Sequence, residues 1–437
     1  MELSLIAEND RGLGESEISS ALERSIEGRA LRRVLIIPPD YTRFHSNAGF
    51  ITRVYYHLLT RRGCEVEILP ALGTHEPVSR EQAASMFGDI PFERFLVHDW
   101  RRDVVRLGSV PGEFIAAHSD GLWADSIDVE IDPRVMDEGY DLIISPGQVV
   151  PREVVGMSNH AKNLFVGVGG SSMINCSHMV GAVYGLERMM GRADTPVRAI
   201  FDYAAERFLR GRPIMYVLTV TTAPENRIRT HGLFIGSGRE CFENAVRLSQ
   251  LKNVFYVDEP IKKCVVYLEP SEFKTTWLGN KAVYRTRMAM ADGGELIILA
   301  PGVRRFGEDM DVDALIRKYG YTGRLHILDV FREPGSEDLR GNMGAAAAYW
   351  RAEHGNGHIY GQGFPARLSR RLAALPRVCR KRPHIRLPQS PEPQKHRRRP
   401  PLFRPCRALA RGRPLQVARH ALLRRGRAVH NGRGRAI

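Results

Sequence analysis

The segment Pro146–Gly181, PGQVVPREVVGMSNHAKNLFVGVGGSSMINCSHMVG, governs the interpretation of the whole chain. It joins the end of an apolar run to a lysine, Lys162, a glycine-rich turn and a histidine, His178. The turn contains Gly167, Gly169 and Gly170. Glycines after an apolar run let backbone N–H groups approach a phosphate closely, because no Cβ stands in the way. The same composition is also typical of an ordinary tight turn, so the glycines alone leave both interpretations open.

Apolar runs rich in β-branched residues recur along the first half of the chain and predict buried strands. They lie at 34–37, 65–69, 141–146 and 216–222, with a hairpin partner for the last at 231–234. Helical patterns separate them at 14–30, 48–62, 79–87, 179–208 and 241–251, while 95–135 is expected to be rich in strands. This alternation is typical of a doubly wound α/β domain.

The second half of the chain repeats the alternation. Strands are predicted at 264–268 and 295–300, helices at 276–290 and 312–319, and a helix leading into a strand at 342–360. We therefore expect two doubly wound α/β domains, a cofactor-binding domain at 1–255 and a smaller, truncated domain at 256–360. The active site is expected in the cleft between them.

The net charge of +15 is concentrated at one end of the chain. Residues 361–437 contain 22 Lys and Arg and one acid, Glu392, whereas residues 1–360 contain 42 basic and 48 acidic residues. A tail of this composition cannot bury enough apolar surface to fold, so we expect it to be disordered. It is either a nucleic-acid-binding arm or the product of a change of reading frame near residue 360. The scarcity of aromatic side chains for base stacking, with only Phe364 and Phe403, favours the frame change over a nucleic-acid partner.

Length and composition limit the class of protein. The 437 residues, 43% of them hydrophobic, suffice for two or three domains with their own cores. The first residues lack the pattern of a leader, and no apolar run is long enough to cross a bilayer, so we expect a cytoplasmic protein without a membrane partner. Six cysteines occur without CxxC pairs, which argues against a disulfide framework or a zinc site. Cys176 is either a soft metal ligand close to His178 or a buried free thiol.

Polar residues follow two of the predicted strands, at the ends where open α/β sheets bind ligands. Asp40-Tyr41-Thr42-Arg43 comes after the strand at 34–37, and Gly73-Thr74-His75-Glu76-Pro77 comes after the strand at 65–69. On these residues alone, Asp40 and Arg43 would also fit a solvated turn, and His75 would fit a surface or core histidine with satisfied hydrogen bonds.

Together with Lys162 and His178, these two motifs resemble the lactate racemase family, over about residues 5–355. Its members carry a nickel-pincer nucleotide, a nickel pyridinium-3-thioamide-5-thiocarboxylic acid mononucleotide. In the family a lysine is joined to this nucleotide through a thioamide, and a histidine sixteen residues later ligates the nickel, which is the spacing found here. The resemblance therefore implies that Lys162 is the attachment site, that His178 is the nickel ligand and that cofactor-biosynthesis proteins load the chain.

The resemblance also implies roles for the remaining motif residues. Asp40, Thr42 and Arg43 would contact the cofactor, with Gly167, Gly169 and Gly170 on its phosphate side, and His75 would be a general acid/base. In this chemistry, hydride removal from the α-carbon gives a planar 2-keto acid that accepts hydride on either face, and the cofactor supplies the hydride acceptor. A base removes the hydroxyl proton as the hydride leaves.

Two positions depart from the family pattern. Arg152 stands where the family has its second catalytic histidine, and arginine stays protonated and cannot readily act as a base. Either His160, eight residues later, takes that role, or the reaction differs from lactate racemisation. Lys281 is the candidate for the family lysine that helps to hold the substrate carboxylate. Because Leu278 replaces the glutamine expected three residues earlier, an ordinary surface lysine is an equal alternative.

An arginine in the pocket favours a substrate with an extra carboxylate or several hydroxyl groups. We therefore expect an isomerase, a racemase or epimerase that acts on a larger 2-hydroxy acid or a sugar acid. The alternatives are a catalytically inactive homologue that binds the cofactor, and a nucleic-acid-binding protein that uses the basic tail. An ordinary NAD dehydrogenase is not favoured, because no GxGxxG follows the first strand.

Overall fold

The computed structural model describes residues 2–270, 272–321, 324–342, 356–361 and 385–386. Apart from residues 361, 385 and 386, the basic tail lies outside the described residues, and so do the predictions made for it. The strands are β1 (Leu3–Ile6), β2 (Arg33–Ile36), β3 (Glu65–Ile68), β4 (Val105–Val110), β5 (Ile127–Ile131), β6 (Leu142–Gln148), β7 (Pro151–Arg152), β8 (Gly156–Met157), β9 (Ile214–Thr222), β10 (Arg229–Gly236), β11 (Ile261–Tyr267), β12 (Met290–Ala300), β13 (Asn356–Gly361) and β14 (Ile385–Arg386).

Helices separate most of these strands. The α-helices are α1 (Glu15–Ser25), α2 (Ala48–Arg61), α3 (Arg80–Phe87), α4 (Gly112–His118), α5 (Pro133–Met136), α6 (Ser171–Tyr184), α7 (Pro196–Phe208), α8 (Arg239–Asn253), α9 (Thr276–Gly279), α10 (Lys281–Thr286), α11 (Met310–Tyr319), α12 (Arg324–Arg332) and α13 (Glu337–Gly341). Short 3₁₀ helices lie at Tyr41–Ser46, Phe92–Arg94, Leu186–Arg188, Pro224–Asn226 and Arg287–Ala289, and a π-helical turn lies at Asn163–Gly167. Within the described residues, none of the helices has both the length and the apolar character needed to span a bilayer.

The chain divides into two units, one made of Met1–Phe255 with Asp309–Glu353, and one made of Tyr256–Glu308 with His354–Ile437. The domain bounds of 1–255 and 256–360 stay a prediction. The first unit combines the stretch that ends at Phe255 with α11, α12 and α13. Their packing explains this grouping, since the Phe331 ring of α12 lies 6.3 Å from the Trp123 ring of the same unit.

The large sheet of the first unit has the strand order β1-β10-β9-β6-β2-β3. Strands β9, β6, β2 and β3 are parallel; at one edge β10 pairs antiparallel with β9, and β1 pairs antiparallel with β10. The hairpin of β9 and β10 confirms the predicted partner of the 216–222 strand. In chain order β3 joins one side of β2 and β6 joins the other, so the chain reverses direction across the sheet beside β2. Open α/β sheets bind ligands at such a point.

Both faces of this sheet are buried because its central strands are apolar throughout. Val34, Leu35 and Ile36 of β2 are fully buried. Successive side chains point to opposite faces, so Val34 and Ile36 join the core that contains residues of α1 and α2, while Leu35 faces the other side. On that other side α8 packs over β9 and β10, with Phe242 fully buried. Helices thus cover both faces, and the predicted α/β class is confirmed.

The second unit contains a smaller sheet with the order β11-β12-β13-β14. Its first three strands are parallel, and β14 pairs antiparallel with β13. Helices α9 and α10 lie between β11 and β12 in the sequence. The strand predicted at the end of 342–360 corresponds to β13, while the helix predicted before it falls mainly on residues outside the described ranges.

Three stretches differ in detail from the predictions. The stretch 95–135 contains β4 and β5 but also α4 and α5. The stretch 179–208 forms parts of two helices, α6 and α7, because Gly185 adopts a φ of 103° and ends α6. The stretch 276–290 forms α9, α10 and a 3₁₀ turn rather than one helix, and Gly279, a weak helix former, ends α9.

Candidate active site

A cavity of about 370 Å³ lies beyond the carboxyl ends of three parallel strands of the first unit, β2, β3 and β6. The 3₁₀ helix Tyr41–Ser46 follows β2, and the turn that contains Gly73 and His75 follows β3; both contribute to its lining. The segment after β6 contributes Arg152 and Lys162. The cavity therefore occupies the place where the sheet order predicts a ligand site.

Most of the predicted site residues line this cavity. They are Asp40, Thr42, Arg43, His75, Arg152, Lys162, Gly167 and His178. Four others are not part of its lining, namely His160, Gly169, Gly170 and Lys281, and Lys281 belongs to the second unit. The sequence motifs thus converge on one cavity even though they lie more than a hundred residues apart in the chain.

Asp40 and His75 form a carboxylate–imidazole pair in the cavity wall. Asp40 Oδ2 is bonded to His75 Nδ1, and Asp40 Oδ1 accepts from the backbone N of Thr42 at 2.9 Å and from its hydroxyl at 2.5 Å. Burial acts to raise the pKa of Asp40, but the hydrogen bond and charge of His75, together with Thr42, outweigh it and lower the pKa. The carboxylate therefore stays ionised and orients the ring. Nε2 of His75 remains as the nitrogen that can exchange a proton with a bound molecule.

Lys162 precedes a π-helical turn, Asn163–Gly167, a geometry that is frequent at functional sites. The buried amide of Asn163 holds this turn in place. Its Nδ2 donates to the carbonyl of Ile37, just after β2, and to the hydroxyl of Ser145 in β6, both at 3.0 Å. The segment of Lys162 is therefore tied to the neighbouring strands β2 and β6.

The environment of Lys162 disfavours its positive charge. Burial, followed by the charges of Arg152 and Arg43, lowers its pKa to about 7. In the described part of the chain, neither Lys162 nor Arg152 forms an ion pair. A lysine of this kind is a good nucleophile near neutral pH, because much of it is the free amine. The two arginines also give the cavity an excess of positive charge, which suits an anionic ligand.

His178 lies in α6 with its side chain partly buried. Its Nδ1 donates to the carbonyl of Ile174 at 2.6 Å, and this hydrogen bond sets the tautomer with Nε2 as the metal-binding nitrogen. The described residues contain no group of three or more His, Cys, Asp or Glu side chains that could hold a metal ion. A metal bound only by protein side chains therefore does not fit this cavity. A metal that arrives with most of its ligands on an organic cofactor does fit, because one histidine then suffices.

Cys176 does not line the cavity, although it lies two residues before His178. Burial, with a contribution from nearby carboxylates, raises the pKa of its thiol to about 11. The thiol therefore stays protonated at neutral pH when no metal is bound. Its place outside the cavity lining favours the interpretation of Cys176 as a partly buried thiol rather than a metal ligand.

Gly169 and Gly170 have a packing role that the sequence did not indicate. A Cβ at Gly170 would lie 2.2 Å from a carboxylate oxygen of Glu130, and one at Gly169 would lie 1.9 Å from the carbonyl of Phe165. Glu130 Oε2 accepts from the backbone N of Ser172 at 3.1 Å, and its carbonyl accepts from the N of Gly170 at 3.3 Å. A carboxylate of the protein thus already occupies the start of α6, where the phosphate interpretation would place a ligand.

His160 is buried away from the cavity lining. Its ring stacks against Tyr216, with centroids 3.9 Å apart, and against Phe242 at 5.4 Å. Burial, followed by the charge of Arg198, lowers its pKa to about 3, so the ring is neutral and a weak base. The structure does not bring His160 to the other predicted catalytic residues.

Lys281 begins α10 in the second unit, where its Nζ lies 3.8 Å from a carboxylate oxygen of Glu272. Its role toward a substrate carboxylate stays a prediction. A fully buried cation of the first unit, Arg198, had no signal in the sequence. Arg198 is fully buried and donates to the backbone carbonyls of Met157 and Asn159, so it fixes the loop that leads to Lys162.

Other residues that shape the site also lack a sequence signal. Asn163 is one amide among many in the sequence, and its anchoring role depends on contacts with residues 126 and 18 positions away. His45 lines the cavity two residues after Arg43, and its membership of the 3₁₀ turn after β2 was the only available hint.

Comparisons with known proteins agree with this arrangement. Residues 8–189 match the family model of the lactate racemase N-terminal domain, which includes every motif residue that lines the cavity. None of the curated proteins matches the chain. A crystal structure of a Thermotoga maritima protein is 24% identical, covers 83% of this chain and 91% of its own, and superposes with a TM-score of 0.71.

A second solved structure extends the comparison. The lactate racemase apoprotein of Thermoanaerobacterium thermosaccharolyticum is 17% identical, with coverage of 82% and 86% and a TM-score of 0.59. At these identities the two structures establish a shared fold. The match to the family model covers the segment that builds the cavity.

Proposed function

We propose, because residues 8–189 match the family model of the lactate racemase N-terminal domain, that the protein is an isomerase that racemises or epimerises a 2-hydroxy acid in the cavity beyond β2, β3 and β6. One observation carries the proposal. A single cavity contains a lysine amine with a pKa of about 7, a histidine in the metal-binding tautomer and an imidazole oriented by a carboxylate. These are the three groups that a covalently held metal cofactor and a proton transfer would require.

The proposed cofactor is the nickel-pincer nucleotide. Lys162 would hold it covalently and Nε2 of His178 would be the protein ligand of its metal, with Asp40, Thr42 and Arg43 around it. When bound, the nucleotide would supply the hydride acceptor that the α-carbon of a hydroxy acid needs. This cofactor assignment rests on the side chains that line the cavity, because they include a histidine in the metal-binding tautomer, His178, and a nucleophilic amine, Lys162. Cofactor-biosynthesis proteins would be required as partners for loading.

The side chains of the cavity would handle the proton and the charge of the substrate. Nε2 of His75 would take the hydroxyl proton, and ionised Asp40 would stabilise the imidazolium that forms. Arg152, which has no ion pair in the described residues, would hold a carboxylate through two parallel N–H···O bonds. Arg43 adds a second positive charge to the same wall.

The same arginines argue for a substrate larger than lactate. Lactate has one carboxylate and one hydroxyl group, whereas two arginines, Arg43 and Arg152, line the cavity. The Arg152 guanidinium, which forms no ion pair within the described residues, suits a second carboxylate or a row of hydroxyl groups. We therefore propose a larger 2-hydroxy acid or a sugar acid.

The first test is peptide mass spectrometry across Lys162 with nickel quantified on the same sample, after co-expression with pincer-nucleotide biosynthesis proteins. We expect a thioamide-linked adduct and nickel in proportion to the chain. Lys162→Arg should abolish the adduct while it keeps a cation, and His178→Gln should retain the adduct but lose nickel. Unmodified Lys162 without nickel, beside a family member that loads normally, would refute the cofactor assignment.

Loaded protein would then be screened for stereochemical inversion of sugar acids and dicarboxylic hydroxy acids. Arg152 stands where the family has a catalytic histidine. This observation supports the alternative, a cofactor-binding protein without racemase activity. That alternative predicts complete loading and no inversion of any hydroxy acid in the panel. Inversion of one of them excludes it.

A further inference from the structure

The proposed function names one proton acceptor, His75, and leaves the acceptor on the other side of the substrate unassigned. The inference that follows rests on that function. Inversion at a carbon requires a proton acceptor for each of the two stereoisomers, one on each side of the reacting carbon. Arg152 stays protonated and His160 is outside the cavity lining, so neither supplies the second acceptor. Among the described residues, three histidines line the cavity: His45, His75 and His178. With His178 assigned to the metal, His45 remains as the partner of His75.

The backbone of His45 is fixed to strand β9. The hydroxyl of Thr221 donates to the carbonyl of His45 at 2.8 Å, and the hydroxyl of Thr219 donates to the carbonyl of Ser46 at 2.7 Å. Both threonines are buried, so these hydrogen bonds are shielded from water. The sheet register places Thr219 opposite Gln148, which itself lines the cavity. His45 therefore enters the cavity at a defined position on the β9 side.

His75 enters from the opposite side of the sheet edge. It follows β3, and the turn before it is joined to the β2 exit by the bridge between Pro39 and Ala71. In the order β9-β6-β2-β3, the strand to which the backbone of His45 is hydrogen-bonded, β9, and the strand that His75 follows, β3, are separated by β6 and β2. At about 4.8 Å between neighbouring strands, β9 and β3 lie roughly 14 Å apart.

Lys162 lies between these two sides, because Asn163 ties its segment to Ile37 after β2 and to Ser145 in β6. A substrate placed against a group on Lys162 would thus have His45 on one side and His75 on the other. We infer that His45 is the second acid/base catalyst, and that it exchanges the hydroxyl proton of the stereoisomer that His75 does not serve.

The ring of His45 is suited to this role. Its side chain is exposed and forms no hydrogen bond or ion pair within the described residues; its ring contacts Phe44 edge-on, with centroids 5.9 Å apart. In the direction that starts from the stereoisomer served by His75, the O–H bond breaks as its proton passes to His75, coupled to the hydride loss described above. When hydride is restored on the other face, the oxygen takes its proton from protonated His45, and both rings then exchange protons with water. The reverse direction exchanges the roles of the two histidines. His75 differs in that Asp40 orients its ring.

The decisive experiment measures 2-keto acid formed in a single turnover of the loaded protein, separately from each stereoisomer of the hydroxy acid that the screen identifies. We expect His45→Gln to form at least about 100-fold less 2-keto acid from one stereoisomer and an unchanged amount from the other. His75→Gln should show the reverse selectivity. His57→Gln is the matched control, because His57 lies in α2, pairs with Asp89 at 3.0 Å and does not line the cavity. Equal effects of His45→Gln on both stereoisomers, or none, would overturn the inference.

A second measurement does not depend on the cofactor. Imidazole Cε1–H signals of the unloaded full-length protein are recorded with and without D-gluconate and L-malate as probes. Shifts of both His45 and His75, with His57 unchanged, support the two-sided site, whereas a shift of His75 alone overturns it. The two proposals fail separately: absence of an adduct on Lys162 refutes the cofactor assignment, whereas normal loading with an inert His45 refutes only this inference. His45→Gln should still fold, because the carbonyl of His45 and not its ring anchors the loop.

Discussion

The low pKa of Lys162 can be tested before any cofactor is present. At pH 7 roughly half of its amine is neutral, against less than about 0.1% for a lysine with the ordinary pKa of 10.4. A small acylating reagent such as acetic anhydride should therefore modify Lys162 faster than an ordinary lysine of equal access at pH 7. The ratio of free-amine fractions is about a thousandfold, and the rate ratio is smaller because a less basic amine is a weaker nucleophile. The reagent is small enough for a cavity of about 370 Å³.

The assay is pulse acetylation at a series of pH values, followed by peptide mass spectrometry of the unloaded protein. Exposed Lys262 in β11 serves as the internal reference for reagent concentration. The rate at Lys162 should rise through a midpoint near pH 7, because only the deprotonated amine reacts.

Arg152→Gln separates the two main causes of the shift. Removal of the positive neighbour should move the midpoint to higher pH, while burial, the larger cause, should keep it below that of an ordinary lysine. A midpoint near pH 10 in the unaltered protein would refute the reasoning. A midpoint that Arg152→Gln leaves in place would refute the assigned influence of the arginine.

Three other predictions address the supports of the site. Asn163→Ala should lower the free energy of unfolding by about 1–3 kcal/mol, measured by urea denaturation, because it leaves the carbonyl of Ile37 buried without its donor. Asp40→Asn should reduce turnover of the loaded protein by about 100-fold or more with little change in unfolding free energy, because the amide cannot stabilise a protonated His75; unchanged turnover would exclude the orienting role. Gly170→Ala should lower the unfolding midpoint by the equivalent of about 1–3 kcal/mol, since the new methyl group would meet the Glu130 carboxylate, and a neutral effect would contradict the packing role.

The strands that organise the site were predictable because their signal is local. The apolar runs that contain Val34–Ile36 and Leu142–Ile144 lie on strands buried on both faces, and such strands show a continuous apolar pattern. The positions of Asp40 and His75 followed from the rule that strand ends carry ligand-binding residues. Lys162 and His178 were singled out because their spacing resembles a family motif, and both line the cavity.

The supports of the site were not predictable, because they depend on contacts between distant segments. Asn163 bonds to Ile37 across 126 residues, and Glu130 reaches the start of α6 across 42 residues. The place of the His160 ring was not predictable either. Its nearness to Lys162 in the sequence made it one of two candidates for the second base, whereas the backbone at Asn159 and His160 is left-handed and the ring packs on Tyr216 outside the cavity lining.

The carboxylate of Glu130 at the start of α6 has a consequence for how the protein meets its proposed cofactor. Strand β5 and this helix are joined by three hydrogen bonds: from Ser172 N to the carboxylate, from Gly170 N to the carbonyl of Glu130, and from Asp128 N to the Ser172 hydroxyl. The helix that carries His178 therefore needs no phosphate to complete its first turn. The part of the proposed cofactor site that α6 forms would therefore be ordered before loading. A loading protein would then need none of its binding free energy to order it.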